Sequence, residues 1–177
     1  MYIRTFDDFL SENEMKVLEE YFTGNIWEWG HSTDSKAPQR WFHCYFDDKP
    51  YFTHYLKEKI ERTIDIKCEY KRVYANGQTL LNSGSWHIDT PVTSFNDPPD
   101  PNYITALLYI SDIGPGNIDI VKGHTEFKIN NEIKSVEPLK NRLVVFDSRI
   151  LHRGCAPEIP GFLRISLAWK LKKKEYF

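Results

Sequence analysis

From about residue 67 onward the chain is cut into short pieces rich in β-branched and aromatic residues: "CEYKRVYA", "YITALLYI", "NIDIV", "EIKSV", "RLVVF" and "LRISLAWKL". Each is strand-length, and "NG", "GPG" and "PG" punctuate the series with residues that favour turns. A run of short strands has to pair into a sheet that covers one of its own faces. The sequence therefore reads as mainly β with flanking helices (α+β), the strands forming a sandwich or barrel.

The flanking helices come before this region. "YIRTF" reads as a strand, and "SENEMKVLEEYF" then carries a helix-start signature. Ser11 can accept from the Glu14 N–H while Glu14 reaches back to Ser11, and Met15, Leu18 and Phe22 follow at helical spacing. "YFTHYLKEKIERTI" reads as a second helix, and both are expected to pack on the outside of the sheet. Between them, Gly24 to Pro50 is aromatic, broken by Gly and Pro, and fits neither period. The expected organisation is one domain over residues 1–177, with helical support mostly in 11–66 and a β core at about 67–171.

The longest irregular stretch inside the β region is "TPVTSFNDPPDPN", whose four prolines cannot supply ladder hydrogen bonds. It is expected to be a surface loop. Like the aromatic segment "WEWGHSTDSKAPQRWFHCYF", it can overhang a pocket.

Composition excludes several functions. A formal net charge of −2 disfavours a protein built to grip phosphate backbones, so nucleic acid is not the expected partner. Cys44, Cys68 and Cys155 form an odd set without CxxC spacing, which suits reduced thiols and a cytoplasmic setting. No stretch approaches the roughly 18 apolar residues that span a bilayer. The basic end "KLKKKEYF" reads as a solvated terminus.

Chemistry concentrates around "WHIDT". In an extended segment, side chains two apart point the same way, so His87 and Asp89 place a nitrogen and an oxygen donor side by side. Alone, the pair reads more readily as a surface histidine beside a carboxylate than as a metal pair. His152, in "FDSRILHRG", offers a third donor, and two histidines with one carboxylate suit non-haem Fe(II) while leaving coordination positions open. Arg164 in "FLRISLAWK" can pair with a carboxylate through two parallel hydrogen bonds, with Ser166 on the same side and Trp169 facing the other way. His31, His43, His54 and His124 lack such context and read as structural or exposed.

The order H-x-D, a distant histidine, then R-x-S resembles the Fe(II)/2-oxoglutarate-dependent dioxygenases. The strand and loop context "WHIDT…YITALLYIS…NRLVVFDSRILHRG…FLRISLAWK" looks like their prolyl-hydroxylase-type branch, which includes phage-encoded members. The resemblance covers about residues 67–171, and "FDDFLSENE" also looks like the helix start of that branch. It implies a double-stranded β-helix core of the jelly-roll or cupin-like kind. His87, Asp89 and His152 would be the iron ligands and thereby the catalytic set. Arg164 would hold the distal carboxylate of 2-oxoglutarate with Ser166, and Tyr109 in "LLYIS" and Tyr74 in "RVYANG" would line the same co-substrate site. "GPGNIDI" departs from the family, where two adjacent glycines and an acidic residue are common.

The resemblance thus implies a hydroxylase using Fe(II), 2-oxoglutarate and O2, with ascorbate as a supporting reductant and a peptide (prolyl-type) or small-molecule substrate. Two other readings compete with it. One is a non-catalytic β-barrel module that binds a metal or carboxylate. The other is a cupin-like metal enzyme without 2-oxoglutarate, against which Arg164 and Ser166 argue. The prime substrate and the oligomeric state are not legible in the sequence.

Overall fold

A computed structural model of the chain describes residues 2–24, 26–32, 38–91 and 98–174. The middle of "TPVTSFNDPPDPN", part of the aromatic segment after His31 and the last residues of "KLKKKEYF" lie outside the described residues. The strands are β1 (Ile3–Phe6), β2 (Glu28–His31), β3 (Trp41–Tyr45), β4 (Cys68–Gln78), β5 (Tyr103–Tyr109), β6 (Thr125–Ile129), β7 (Glu132–Val136), β8 (Leu143–Asp147), β9 (Leu151–Gly154) and β10 (Arg164–Lys173). The α-helices are α1 (Glu12–Glu20), α2 (Lys57–Ile64) and the single turn α3 (Ile118–Val121). Strands order as β1-β8-β5-β10-β4-β3-β2 in a large sheet and β7-β6-β9 in a small one, with antiparallel pairing. Two antiparallel sheets facing one another across a buried space give the mainly β sandwich expected from the strand pattern and the jelly-roll core that the resemblance implies.

Alternation along β10 assigns the two faces of the large sheet. Leu167, Trp169 and Leu171 join an apolar cluster with Met15 and Leu18 of α1 and with Phe52, Leu56, Ile60 and Ile64 of the second helical segment. Each such buried side chain contributes about 1.5–3 kcal/mol relative to exposure. The Trp169 indole donates to the Phe52 carbonyl at 2.9 Å, so this outward face is fastened as well as apolar. Arg164, Ser166, Ala168 and Lys170 project from the opposite face, toward the small sheet. The helices therefore support one side of the sheet and leave the other for chemistry.

Helix α1 starts as its sequence requires. Ser11 caps it, Glu14 N–H reaches Ser11 Oγ at 3.4 Å, and Ser11 N–H reaches the Glu14 carboxylate at 2.7 Å. The same carboxylate accepts from Tyr55 Oη at 2.7 Å and from Lys59 Nζ at 2.6 and 2.8 Å, tying α1 to the second helical segment. That segment begins as a π-helical stretch, Tyr51–Leu56, which buries Phe52 and Leu56 before α2 continues.

Three local expectations change. "NIDIV" is a helical turn rather than a strand. Ile118 and Val121, three apart, are buried with Ile113, whereas a strand would have paired Ile118 with Ile120, which is 65% exposed. Asn117 holds this turn by accepting from the Gly114 N–H at 2.8 Å. "NG" at 76–77 lies inside β4 rather than at a turn, because a side chain at Gly77 would meet Leu163 and Trp27 at 3.1 Å; the glycine serves close packing. The unassigned stretch before Pro50 supplies β2 and β3, which extend the large sheet beyond β4. Among the described residues, no helix is long and apolar enough to cross a membrane.

Burial tends to raise the Glu14 carboxyl, but its bonds to Lys59, Ser11 and Tyr55 outweigh that and hold it down to about 2, against an ordinary value of 4.5. A carboxyl depressed in the folded state stabilises the fold above its unfolded pKa, and this is lost as pH falls through the folded one. Glu14→Ala is expected to cost about 1–2 kcal/mol at pH 7. Urea unfolding should show the gap to the parent protein narrowing as pH drops from 4.5 toward 2.

Candidate metal centre and its cavity

Residues 84–89 run antiparallel beside β9 and add an edge to the small sheet. Gly84 N–H donates to Gly154 O at 2.8 Å, and Asp89 N–H to Ser148 O at 2.8 Å. Between them His87 and His152 form a bridge, exchanging N–H···O bonds of 3.0 and 2.9 Å. Residues directly opposite in an antiparallel pair project to the same face, so the imidazoles meet with centroids 4.3 Å apart. Asp89, two residues on, joins them.

The donor set fits a metal ion. His87 Nδ1 lies 2.9 Å from Ser85 O and His152 Nδ1 lies 2.8 Å from Ile150 O. A carbonyl can only accept, so each Nδ1 carries a proton and each Nε2 is the ring nitrogen turned inward. Those nitrogens lie 3.5 and 3.4 Å from Asp89 Oδ1 and Oδ2, and one donor atom from each residue falls within 4.8 Å of the others. Two imidazole nitrogens and a carboxylate converging in this way form a donor set that could hold a cation. Burial, outweighing the pull of Asp89, pushes the His152 imidazole below its ordinary range, which keeps it neutral as a ligand must be.

The carboxylate is itself held. Thr105 Oγ1 donates to Asp89 Oδ2 at 2.7 Å, and the Lys170 ammonium bonds the same oxygen. Burial would raise the Asp89 carboxyl, but Lys170 and then His152 overcome it and keep it well below the usual carboxylate range. Burial would likewise lower the Lys170 ammonium, and Asp89 with Tyr74 reverses that. Thr105 and Lys170 both bond Oδ2, while Oδ1 lies 3.5 Å from His87 Nε2.

Arg164, on the opposite sheet, lines the same cavity of about 440 Å³ as His87, Asp89 and His152. Arg164 is 1% exposed, and its guanidinium donates to Gly123 O at 2.5 Å, Gln78 Oε1 at 2.8 Å, Thr125 Oγ1 at 3.0 Å and Ser166 Oγ at 3.4 Å. All four acceptors are neutral, and no carboxylate pairs with it among the described residues. Burial pushes its pKa down from the usual guanidinium value. Gly123 makes the fit possible: its φ is +87° and a Cβ there would stand 2.9 Å from Arg164 Cδ.

The remaining sequence candidates divide. Ser166 is buried on the cavity wall beside Arg164. Tyr109 is buried behind Thr125, donating to its Oγ1 at 2.7 Å, and burial raises its phenol against the opposing pull of Arg164. Tyr74 lines the cavity four register pairs along from Arg164, opposite Ala168, close to Arg72 and Lys170. His31, read from sequence as structural or exposed, also lines the cavity. Sequence reasoning missed Thr105, Lys170, Gln78, Gly123 and Thr125. Lys170 shares its parity along β10 with Arg164 and Ser166, and that signal alone places it on this face.

No protein-family model matches the sequence, and no curated protein does either. Solved structures do match by fold. A prolyl hydroxylase of Trichoplax adhaerens, in complex with a hypoxia inducible factor peptide fragment, superposes with a TM-score of 0.71 at 16% identity, over 96% of this chain and 83% of that one. A viral collagen prolyl hydroxylase of Paramecium Bursaria Chlorella virus-1, in its 2OG complex, gives 0.62 at 16%, covering 99% and 97%. HygX of Streptomyces hygroscopicus, with nickel, 2-oxoglutarate and hygromycin B bound, gives 0.68 at 11%, covering 96% and 82%. The fold is that of the 2-oxoglutarate oxygenases, prolyl hydroxylases among them.

If these donors form the centre, His152→Ala and Asp89→Ala should each abolish tight Mn(II) binding. Thr105→Val, which removes only a hydrogen bond to the ligand carboxylate, should weaken it about 10-fold. Anaerobic calorimetry measures both.

Proposed function

We propose that the protein is a non-haem Fe(II)- and 2-oxoglutarate-dependent oxygenase that hydroxylates a C–H bond of a peptide, prolyl-type, or small-molecule substrate. The observation that carries this reading is a buried guanidinium that has no counter-ion among the described residues and shares a cavity with the two imidazoles and the carboxylate. Buried charges are ordinarily paired, and a diacid able to reach the metal from Arg164 supplies the missing partner. A simple metal-binding module would have no use for it.

In this reading His87, Asp89 and His152 hold the iron and leave three coordination positions open. Arg164 and Ser166 bind the distal carboxylate, while Tyr109 acts through Thr125, which accepts from both Tyr109 and Arg164. Tyr74 bounds the cavity on the side away from Arg164. Once bound, iron with 2-oxoglutarate and O2 supplies an oxidant able to break an unactivated C–H bond, the keto acid leaving as succinate and CO2; ascorbate supports turnover by keeping the metal reduced. Thr105 and Lys170 fix the ligand carboxylate, and Leu107, Phe146 and Ala168 give the cavity an apolar wall that limits water. Three free cysteines suit a reducing compartment such as the cytoplasm.

Succinate release from 2-oxoglutarate under air, with Fe(II), ascorbate and candidate peptides or metabolites, tests the reading. Activity should vanish in His87→Ala and Asp89→Ala. Arg164→Ala should weaken 2-oxoglutarate binding by about 2–5 kcal/mol, as when one member of a buried charge pair is removed. Binding of metal and 2-oxoglutarate without any turnover would favour the non-catalytic module, and unchanged affinity in Arg164→Ala would remove that residue from the site.

A further inference from the structure

The cavity wall carries more cations than the metal and the co-substrate use. Lys71, Arg72, Arg164 and Lys170 line it, and Asp89 is the one carboxylate on it among the described residues. A divalent ion and a doubly charged keto-diacid cancel one another, so loading the site leaves this excess in place. The whole chain carries a net −2, so the positive wall is a local concentration of charge.

Its position is specific. Arg72 on β4 and Lys170 on β10 are cross-strand partners in register, on the face that bears Arg164 and Ser166. Like charges placed opposite one another oppose strand pairing. Both approach the ring of Tyr74, the Arg72 guanidinium at 4.5 Å and the Lys170 ammonium at 5.5 Å from its centroid. Lys170 is compensated by Asp89, and Lys71 by Glu69 at 2.6 Å. Arg72 has no ion-pair partner among the described residues. His31 stands 5.6 Å from the same ring and is held down to about 4, by burial first and then by the positive charge of His43, Arg72 and Lys170. It is neutral at pH 7 and offers a hydrogen bond without adding charge.

Resting on the function given above, we propose that Arg72 and Lys170 form an anion subsite for the prime substrate, which carries a carboxylate or phosphate group beside the carbon that is oxidised. The guanidinium offers paired N–H donors to two oxygens of either group. Lys170 touches the metal-ligating carboxylate, so an anion shared by the two cations lies against the metal centre, and Tyr74 sets the spacing between them. A blocked, neutral prolyl peptide leaves this pair unused.

The test uses the full chain loaded with Fe(II) and 2-oxoglutarate under nitrogen, with calorimetry against N-acetylproline and N-acetyl-O-phosphoserine amide and their uncharged counterparts N-acetylprolinamide and N-acetylserinamide. At least one anion should bind 10-fold or more tighter than its counterpart, and which one does so identifies the group. Arg72→Gln should erase that preference and Arg72→Lys should restore part of it, which a merely structural role for Arg72 would not do. If 2-oxoglutarate binds the unaltered protein but neither anion is preferred, or if the preference survives in Arg72→Gln, the subsite is overturned while the oxygenase reading stands. Failure of 2-oxoglutarate itself to bind would overturn both.

Discussion

His87 and His152 come from segments far apart in the chain, and a single antiparallel bridge between their backbones brings them together. The two N–H···O bonds of that bridge do more than pair the strands. They fix both imidazoles on one face, bring Asp89 alongside two residues later, and point the assembly across the gap to the large sheet. Without the bridge His152 would lie apart from the neighbouring His87 and Asp89; with it the three form one cluster. Each Nδ1 is then committed to a backbone carbonyl, so ring orientation follows from the same local geometry.

Facing this cluster is a sheet whose two sides carry opposite chemistry. One side of β10 puts Leu167, Trp169 and Leu171 into the helix-backed core, while the other exposes Arg164, Ser166 and Lys170 to the cavity. The apolar side bears the cost of holding charged groups on the reverse. Lys170 is paired with the carboxylate of Asp89, whereas Arg164 is cradled by neutral acceptors. Gly123 and Gln78 hold the guanidinium in position but leave its charge unneutralised.

Much of this was legible in the sequence, because alternation acts over two residues. It paired His87 with Asp89 and Arg164 with Ser166, and it turned Trp169 away. The capping box at Ser11 and Glu14 was equally local. What escaped depends on register between distant strands. Gln78 faces Arg164 only because β4 and β10 pair in one register, and Gly123 and Thr125 reach the guanidinium from a separate loop and strand. Five apolar-rich residues such as "NIDIV" fit either a strand or a helical turn, and burial of Ile118 with Val121 decides for the turn. Glycine at 77 serves packing where the dipeptide suggests a turn, and "TEFKI" and "LHRG", polar at most positions, form strands only because partners flank them.

A crystal structure grown with Mn(II) and 2-oxoglutarate tests the central claim most directly. The account expects the ion bound by His87 Nε2, His152 Nε2 and an oxygen of Asp89, with the far carboxylate of the diacid paired to Arg164. An ion held elsewhere, or a diacid whose far carboxylate avoids Arg164, would contradict it.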